Sequence, residues 1–182
     1  FNMKYVSCDN KFCKDYNNVI DSIIKLIERI IESLEKVGSC SEKIEWFRRM
    51  KEHPAAGFYE AIQRVLFVNQ LFWQTGHKLI GLGALDSYLL EYYRRDIDNN
   101  ILTKEDVYSA ISDVFRILHS DYKYKSNLLL GDTGQIAVIG KSNTSGEYIY
   151  NDLTEIVLRV IKELNQPEPK CVLRVNRNIP NE

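Results

Sequence analysis

The side chains of this 182-residue sequence that could do chemistry are four cysteines, three histidines and a few closely spaced glycines and tyrosines. Cys8, Cys13, Cys40 and Cys171 lack metal-ligand spacing, because Cys8-x4-Cys13 stands without a second pair or a nearby histidine. Ordinary reduced thiols are therefore expected, rather than zinc or disulfides. Cys171 lies in a strand-forming segment and reads as a small buried hydrophobe. Gly81-x-Gly83 and Gly131-x-x-Gly134 are too sparse for a phosphate loop or a dinucleotide fingerprint, which need further glycines or a lysine at fixed offsets. Tyr88, Tyr92 and Tyr93 recur at helical spacing and read as a packing stripe rather than a ligand box. No nucleophile elbow or triad order is present, so no hydrolase is supported. His77 stands alone, and a lone histidine is more often structural than catalytic.

Composition narrows the field further. With 45% apolar residues the chain can bury a core, and its length suits one domain or a piece of a larger one. A net charge of -1 lacks the basic face of nucleic-acid-binding domains. No run of about 18 apolar residues marks a membrane span. The start, Phe1 to Asn10, has neither an initiator methionine nor the regions of a signal peptide, so an excised segment of a cytoplasmic protein is expected.

The elements that must position these residues are helices first and strands later. Val19, Ile20, Ile23, Ile24, Ile27, Ile30, Ile31 and Leu34 predict an amphipathic helix from about Tyr16 to Val37, ended by Gly38. Ser39-x-x-Glu42 predicts a capping box for a short helix with Ile44, Trp46 and Phe47. A helix initiated by Pro54 carries Phe58, Ile62, Val65, Leu66 and Phe72, with Gly76 as its stop. Thr103-x-x-Asp106 caps another through Val107, Ile111, Val114 and Leu118, and Asp152-x-x-Glu155 starts one through Ile156, Val160 and Leu164. Strands are expected at Leu79–Leu82, Leu128–Leu130, Ile136–Ile139 and Val172–Val175. The middle two form either a hairpin or two short strands. The class is α/β, predominantly helical: residues 14–120 helical, residues 121–182 strand-containing, and the whole of 1–182 one segment without repeat or linker. So few strands leave an open sheet, whose edges stable proteins cover or pair.

The run from His53 to Thr103, HPAAGFYEAIQRVLFVNQLFWQTGHKLIGLGALDSYLLEYYRRDIDNNILT, combines an EAIQ helix, GLGALDSYL, YRRD and NNILT. In order and wording it resembles the glycyl radical enzymes, the pyruvate formate-lyase-like proteins that include glycerol dehydratase and choline lyase. Lys14-Asp15-Tyr16-Asn17-Asn18-Val19 is similar to the start of that family's long helix. GDTGQIAVIG, the turn Asn151 to Thr154 and the run Pro167 to Arg174 are similar to its later motifs in the correct order.

The resemblance implies half of a ten-stranded α/β barrel and, in the full-length enzyme, radical chemistry on a small polar metabolite. A glycyl radical, installed by an S-adenosylmethionine-dependent iron-sulfur activase, passes to a cysteine thiyl that removes hydrogen from substrate. No bound cofactor is implied during turnover. The catalytic cysteine loop and the glycyl loop are not among these 182 residues, so no catalytic residue is assigned and the segment alone is expected to be inert. Implied partners are the small-molecule substrate, the activase, and a second copy or a companion C-terminal half, with no nucleic acid or membrane.

By carry-over the candidate substrate-binding residues are Lys11, His77, Lys78, Leu79, Leu128 and Gly134. Lys11 precedes the long helix, as either a buried cation or a solvated lysine. His77, Lys78 and Leu79 sit by an inward barrel strand, and Leu128 and Gly134 fall near pocket-wall positions. Ala84 stands where relatives carry arginine, removing a guanidinium partner, and Lys141 stands where they carry a second glycine. Those departures leave a second reading open, a noncatalytic member acting as a structural or binding module.

Overall fold

A computed structural model describes residues 5–7, 9–76, 80–120, 135–140 and 150–175. They fall into two compact units, with the boundary between Ala56 and Gly57.

The first unit is a helical hairpin of α1 (Lys11–Lys36) and α2 (Ser41–Glu52). Helix α1 begins five residues before the expected Tyr16, because the Asn10 side chain accepts from Cys13 N at 2.9 Å and supplies the cap. Gly38, at φ +66°, turns the chain as expected, with Ser39 N donating to Leu34 O at 2.9 Å. Cys13, Ile20, Ile27 and Ile31 of α1 are buried, as are Ile44 and Met50 of α2. The expected Ser39/Glu42 capping box does not form. Cys40 occupies the cap position and makes no side-chain cap bond, since Ser39 is spent in the turn. The expectation of reduced thiols is corrected at Cys13, which is disulfide-bonded, while Cys40 and Cys171 are free. Pairing depends on Cα separation and Cβ direction, which residue spacing does not encode.

The second unit contains α3 (Phe58–Gln74), β1 (Ile80–Ala84), α4 (Leu85–Tyr88), α5 (Leu90–Asp98), α6 (Lys104–Ser120), β2 (Gln135–Ile139), α7 (Asp152–Leu164) and β3 (Lys170–Leu173). Helix α3 starts at Phe58 behind Gly57, not at Pro54, because a distant carboxylate described below closes its N-terminus. The three strands lie in the order β1-β2-β3 and are all parallel, so each connection is a crossover. Strand β2 has a parallel neighbour on both edges, and the choice between a hairpin and two short strands turns on residues outside those described. The strand expected at Leu128–Leu130 lies outside the described residues. One sheet face packs on helices: Ala137, Ile139 and Leu82 are buried with Leu85, Ile111, Phe115, Leu153 and Val157. Alternation along the strands then turns Ile136, Val138 and Val172 to the opposite face.

Candidate functional site

The carboxyl ends of parallel strands are where sites gather in α/β folds, and here one buried carboxylate ties those ends together. Asp86 opens the chain's exit from β1 and is fully buried. Its Oδ2 accepts from Gly140 N at 2.7 Å, just past β2, and from Thr154 Oγ1 at 2.7 Å, in the first turn of α7. Its main-chain oxygen accepts from Asn151 Nδ2 at 3.1 Å. Asn151 is also the N-cap of α7, with Leu153 N and Thr154 N donating to its Oδ1, while Thr154 Oγ1 accepts from Asn151 N. The cap is thus Asn151 with Thr154, not the expected Asp152 with Glu155. An amide has both a donor and an acceptor, so Asn151 can cap the helix and bind Asp86 at once.

Cys171 on β3 pairs with Ala137 on the helix-covered face. Burial, then the nearby charge of Asp86, pushes its thiol up to about 12. It is a protonated, poor nucleophile, in keeping with a packing role.

The other face carries the wall of the candidate site. Ile136 and Val172 are 38% and 48% exposed, beside Gly81 and Ala84 of β1, which pair with Ile136 and Val138. The register slips between Gly81 and Gly83, and Gly83 takes φ +72°, a bulge that lets Ala84 resume pairing on the open side. Tyr88 covers the bulge: its hydroxyl donates to Leu82 O at 2.8 Å, and burial raises that phenol above the ordinary tyrosine range. Tyr93 is buried in the core, as a packing stripe requires, whereas Tyr88 keeps 41% of its surface exposed.

A second buried carboxylate holds the frame behind this wall. Asp96 Oδ2 accepts from Phe58 N at 2.6 Å, closing the N-terminus of α3 from 38 residues away. Arg95 Nε and Nη2 both donate to Asp96 Oδ1 at 3.0 Å. Among the described residues no group of three His, Cys, Asp or Glu side chains could hold a metal ion, and no helix is long and apolar enough to cross a membrane.

Of the residues expected at a site, Lys11 is exposed in the first turn of α1. His77, Lys78, Leu79, Leu128 and Gly134, like Lys141, lie outside the described residues. Sequence reasoning passed over Asp86, Asp96 and Asn151 as chemistry, although Asp86 and Asp96 are the acidic members of GLGALD and YRRD.

The family model described as "Pyruvate formate lyase-like" matches residues 4–182. The isethionate sulfite-lyase of Oleidesulfovibrio alaskensis is 26% identical over 142 residues, covering 71% of this chain and 16% of the relative. The (2S)-3-sulfopropanediol dehydratase of Klebsiella oxytoca is 26% identical over 133 residues, covering 69% and 16%. A glycyl radical enzyme from Archaeoglobus fulgidus superposes with a TM-score of 0.66 at 24% identity, over 91% of this chain and 23% of that one. The glycerol-bound B12-independent glycerol dehydratase from Clostridium butyricum gives 0.59 at 18%, over 89% and 21%. The chain spans 16% of the length of those curated relatives. These likenesses bear out the expected α/β, predominantly helical fold as part of a larger barrel.

Proposed function

Because the chain belongs to the pyruvate formate lyase-like family, we propose that it builds part of the substrate-chamber wall of a glycyl radical lyase or dehydratase acting on a small polar metabolite. The observation that carries this reading is the one-sided parallel sheet, helix-covered behind Ala137 and Ile139 and open at Ile136, Val138 and Val172. A barrel strand has that character, with one face on the helical ring and one toward the interior. The residues here position rather than react. Asp86 fixes the strand ends, and the open apolar face excludes water from a reactive radical. The hydrogen-abstracting thiyl and the glycyl radical are supplied by residues outside these 182, after installation by the activating enzyme.

The test is electron paramagnetic resonance after anaerobic incubation with S-adenosylmethionine and an iron-sulfur activase. Residues 1–182 together with the polypeptide that supplies the radical loops, in cis or as a companion, should give a glycyl doublet and consume a small diol or hydroxysulfonate. Residues 1–182 alone should give no doublet. Silence from the complete system, under an activase that labels a known relative, would overturn the reading. The noncatalytic module, which Ala84 in place of arginine favours, would then stand.

A further inference from the structure

Helix α5 and the start of α7 form a cleft of about 250 Å³, the volume of roughly eight waters. Residues four apart share a helix face, so Leu90, Arg94 and Asp98, with Tyr93 and Ile97 beside them, bring one side of α5 to the cleft, and Asp152 closes it from α7. Tyr93 packs its ring in the core and is 3% exposed, yet its hydroxyl has no hydrogen-bond partner. The charged groups that act on this hydroxyl are Lys104, Asp152, Glu155 and Asp98. Asp152 and Asp98 line the cleft, so the hydroxyl end of the ring lies on that side. Burial above all raises its pKa, leaving a neutral phenol that can donate or accept. A buried hydroxyl left unmet costs free energy, which a bound partner would recover.

We infer that this cleft is a binding site for a small zwitterion, a compound that carries one ammonium and one carboxylate as a free amino acid does. Both signs of charge stand at its rim. Arg94 and Asp98 are exposed, at the four-residue spacing of helix ion pairs, yet among the described residues neither side chain forms an ion pair or hydrogen bond. Each can therefore take a ligand group, a carboxylate on the planar guanidinium and an ammonium on Asp98. Across the cleft Asp152 Oδ2 accepts from Lys104 Nζ at 2.7 Å, so that pair brings no net charge. A ligand of one sign would be drawn to one of Arg94 and Asp98 and repelled by the other, whereas a zwitterion meets both. Leu90 and Ile97 offer its carbon atoms an apolar wall, and the Tyr93 hydroxyl gains a partner. Asn151, which caps α7 and holds the Asp86 main chain, also lines the cleft, so an occupant bears on the tie across the strand ends. The inference rests on α5 and α7 and not on the radical reading, so either can fail without the other.

The experiment titrates the 182-residue chain with the common protein amino acids by calorimetry. At least one should bind saturably, and its analogues lacking the ammonium or the carboxylate, which for alanine are propionate and ethylamine, should bind roughly tenfold more weakly or worse. Arg94→Gln and Asp98→Asn should each weaken binding by a similar factor, with unchanged helical circular dichroism. Tyr93→Phe should weaken it roughly tenfold, yet leave the melting temperature of the unliganded chain unchanged or higher, because the hydroxyl it removes has no partner there. Absence of saturable binding by every amino acid overturns the proposal. So do singly charged analogues that bind as tightly as the amino acid, and binding indifferent to Arg94→Gln and Asp98→Asn, which would place the ligand elsewhere. A Tyr93→Phe chain that melts lower when unliganded would also overturn it, since the hydroxyl would then already be paired.

Discussion

Single carboxylates hold more of this structure than any residue that looked reactive. Removing Asp86 as Asp86→Ala strands the buried Gly140 N–H and the Thr154 hydroxyl, and an unmet buried polar group costs about 1–3 kcal/mol. Denaturant unfolding should show a loss of about 2–4 kcal/mol, with Thr154→Val costing less because Gly140 keeps its partner. A Cβ at Gly57 would stand 2.8 Å from Asp96 Oδ2, the atom that caps α3 and cannot swing away without losing Phe58 N. Gly57→Ala should therefore destabilise by about 1–3 kcal/mol, the scale of an overpacked core. Asp96→Ala Gly57→Ala should cost less than the sum of the two single changes. At pH 8 iodoacetamide should modify exposed Cys40 long before Cys171, whose thiol burial keeps protonated. Equal rates by mass spectrometry would mean β3 is not packed as described. Asp86 and Asp96 were written in the sequence as parts of GLGALD and YRRD, but partners 54, 68 and 38 residues distant are not a local signal. Periodicity marks which face is buried, and says nothing of which carboxylate a remote N–H will find.

Helices were legible to the extent that their punctuation was local. Gly38 and the Thr103/Asp106 box stand where expected, with Thr103 N donating to Asp106 Oδ2 at 2.8 Å and Asp106 N donating to Thr103 Oγ1 at 3.2 Å. The start of α3 was missed because its cap comes from α5, and the cap of α7 was misplaced by one residue because two polar residues adjoin there. Asn151→Ala should cost more than the ~1 kcal/mol of an ordinary N-cap, since it also deprives the Asp86 carbonyl of a partner. Between α6 and α7, Arg159 bonds Glu105 at 2.6 and 3.0 Å and Glu163 at 3.0 Å, and lies 4.2 Å from the centre of the Tyr108 ring. Hydrogen bonds from Arg159 to Glu105, from Tyr108 and Arg159 to Glu163, and from Lys104 to Asp152 hold those carboxyls below the ordinary carboxylate range. Their folded pKa values being depressed, the stabilisation is present above the ordinary values and is lost as pH falls through the folded ones. The melting temperature should fall on acidification below about pH 4.5. In Arg159→Gln that fall should be shallower, and salt should narrow the difference because the groups are exposed.

At the scale of the whole molecule, the open sheet face sets how the chain behaves in isolation. A few hundred Å² of apolar surface is worth several kcal/mol at roughly 25 cal/mol per Å², so residues 1–182 alone should bind a hydrophobic dye. Val172→Lys and Ile136→Lys should reduce that binding without loss of helix, and an unchanged signal would mean the face is covered in solution. That the three described strands are all parallel follows from crossovers that apolar runs alone do not order. The same connectivity bears on how the chain is made. On a ribosome Asp86 emerges with Gly140 and Thr154 still to be synthesised, 54 and 68 residues later. At 5–20 residues per second this is an interval of roughly 3–14 s. Through that interval β1 lacks β2, its neighbour among the described residues, and Asp86 lacks both partners. Until β2 and α7 arrive to close it, the nascent segment from Ile80 to Leu89 should be more open to chaperones and proteases than in the finished chain.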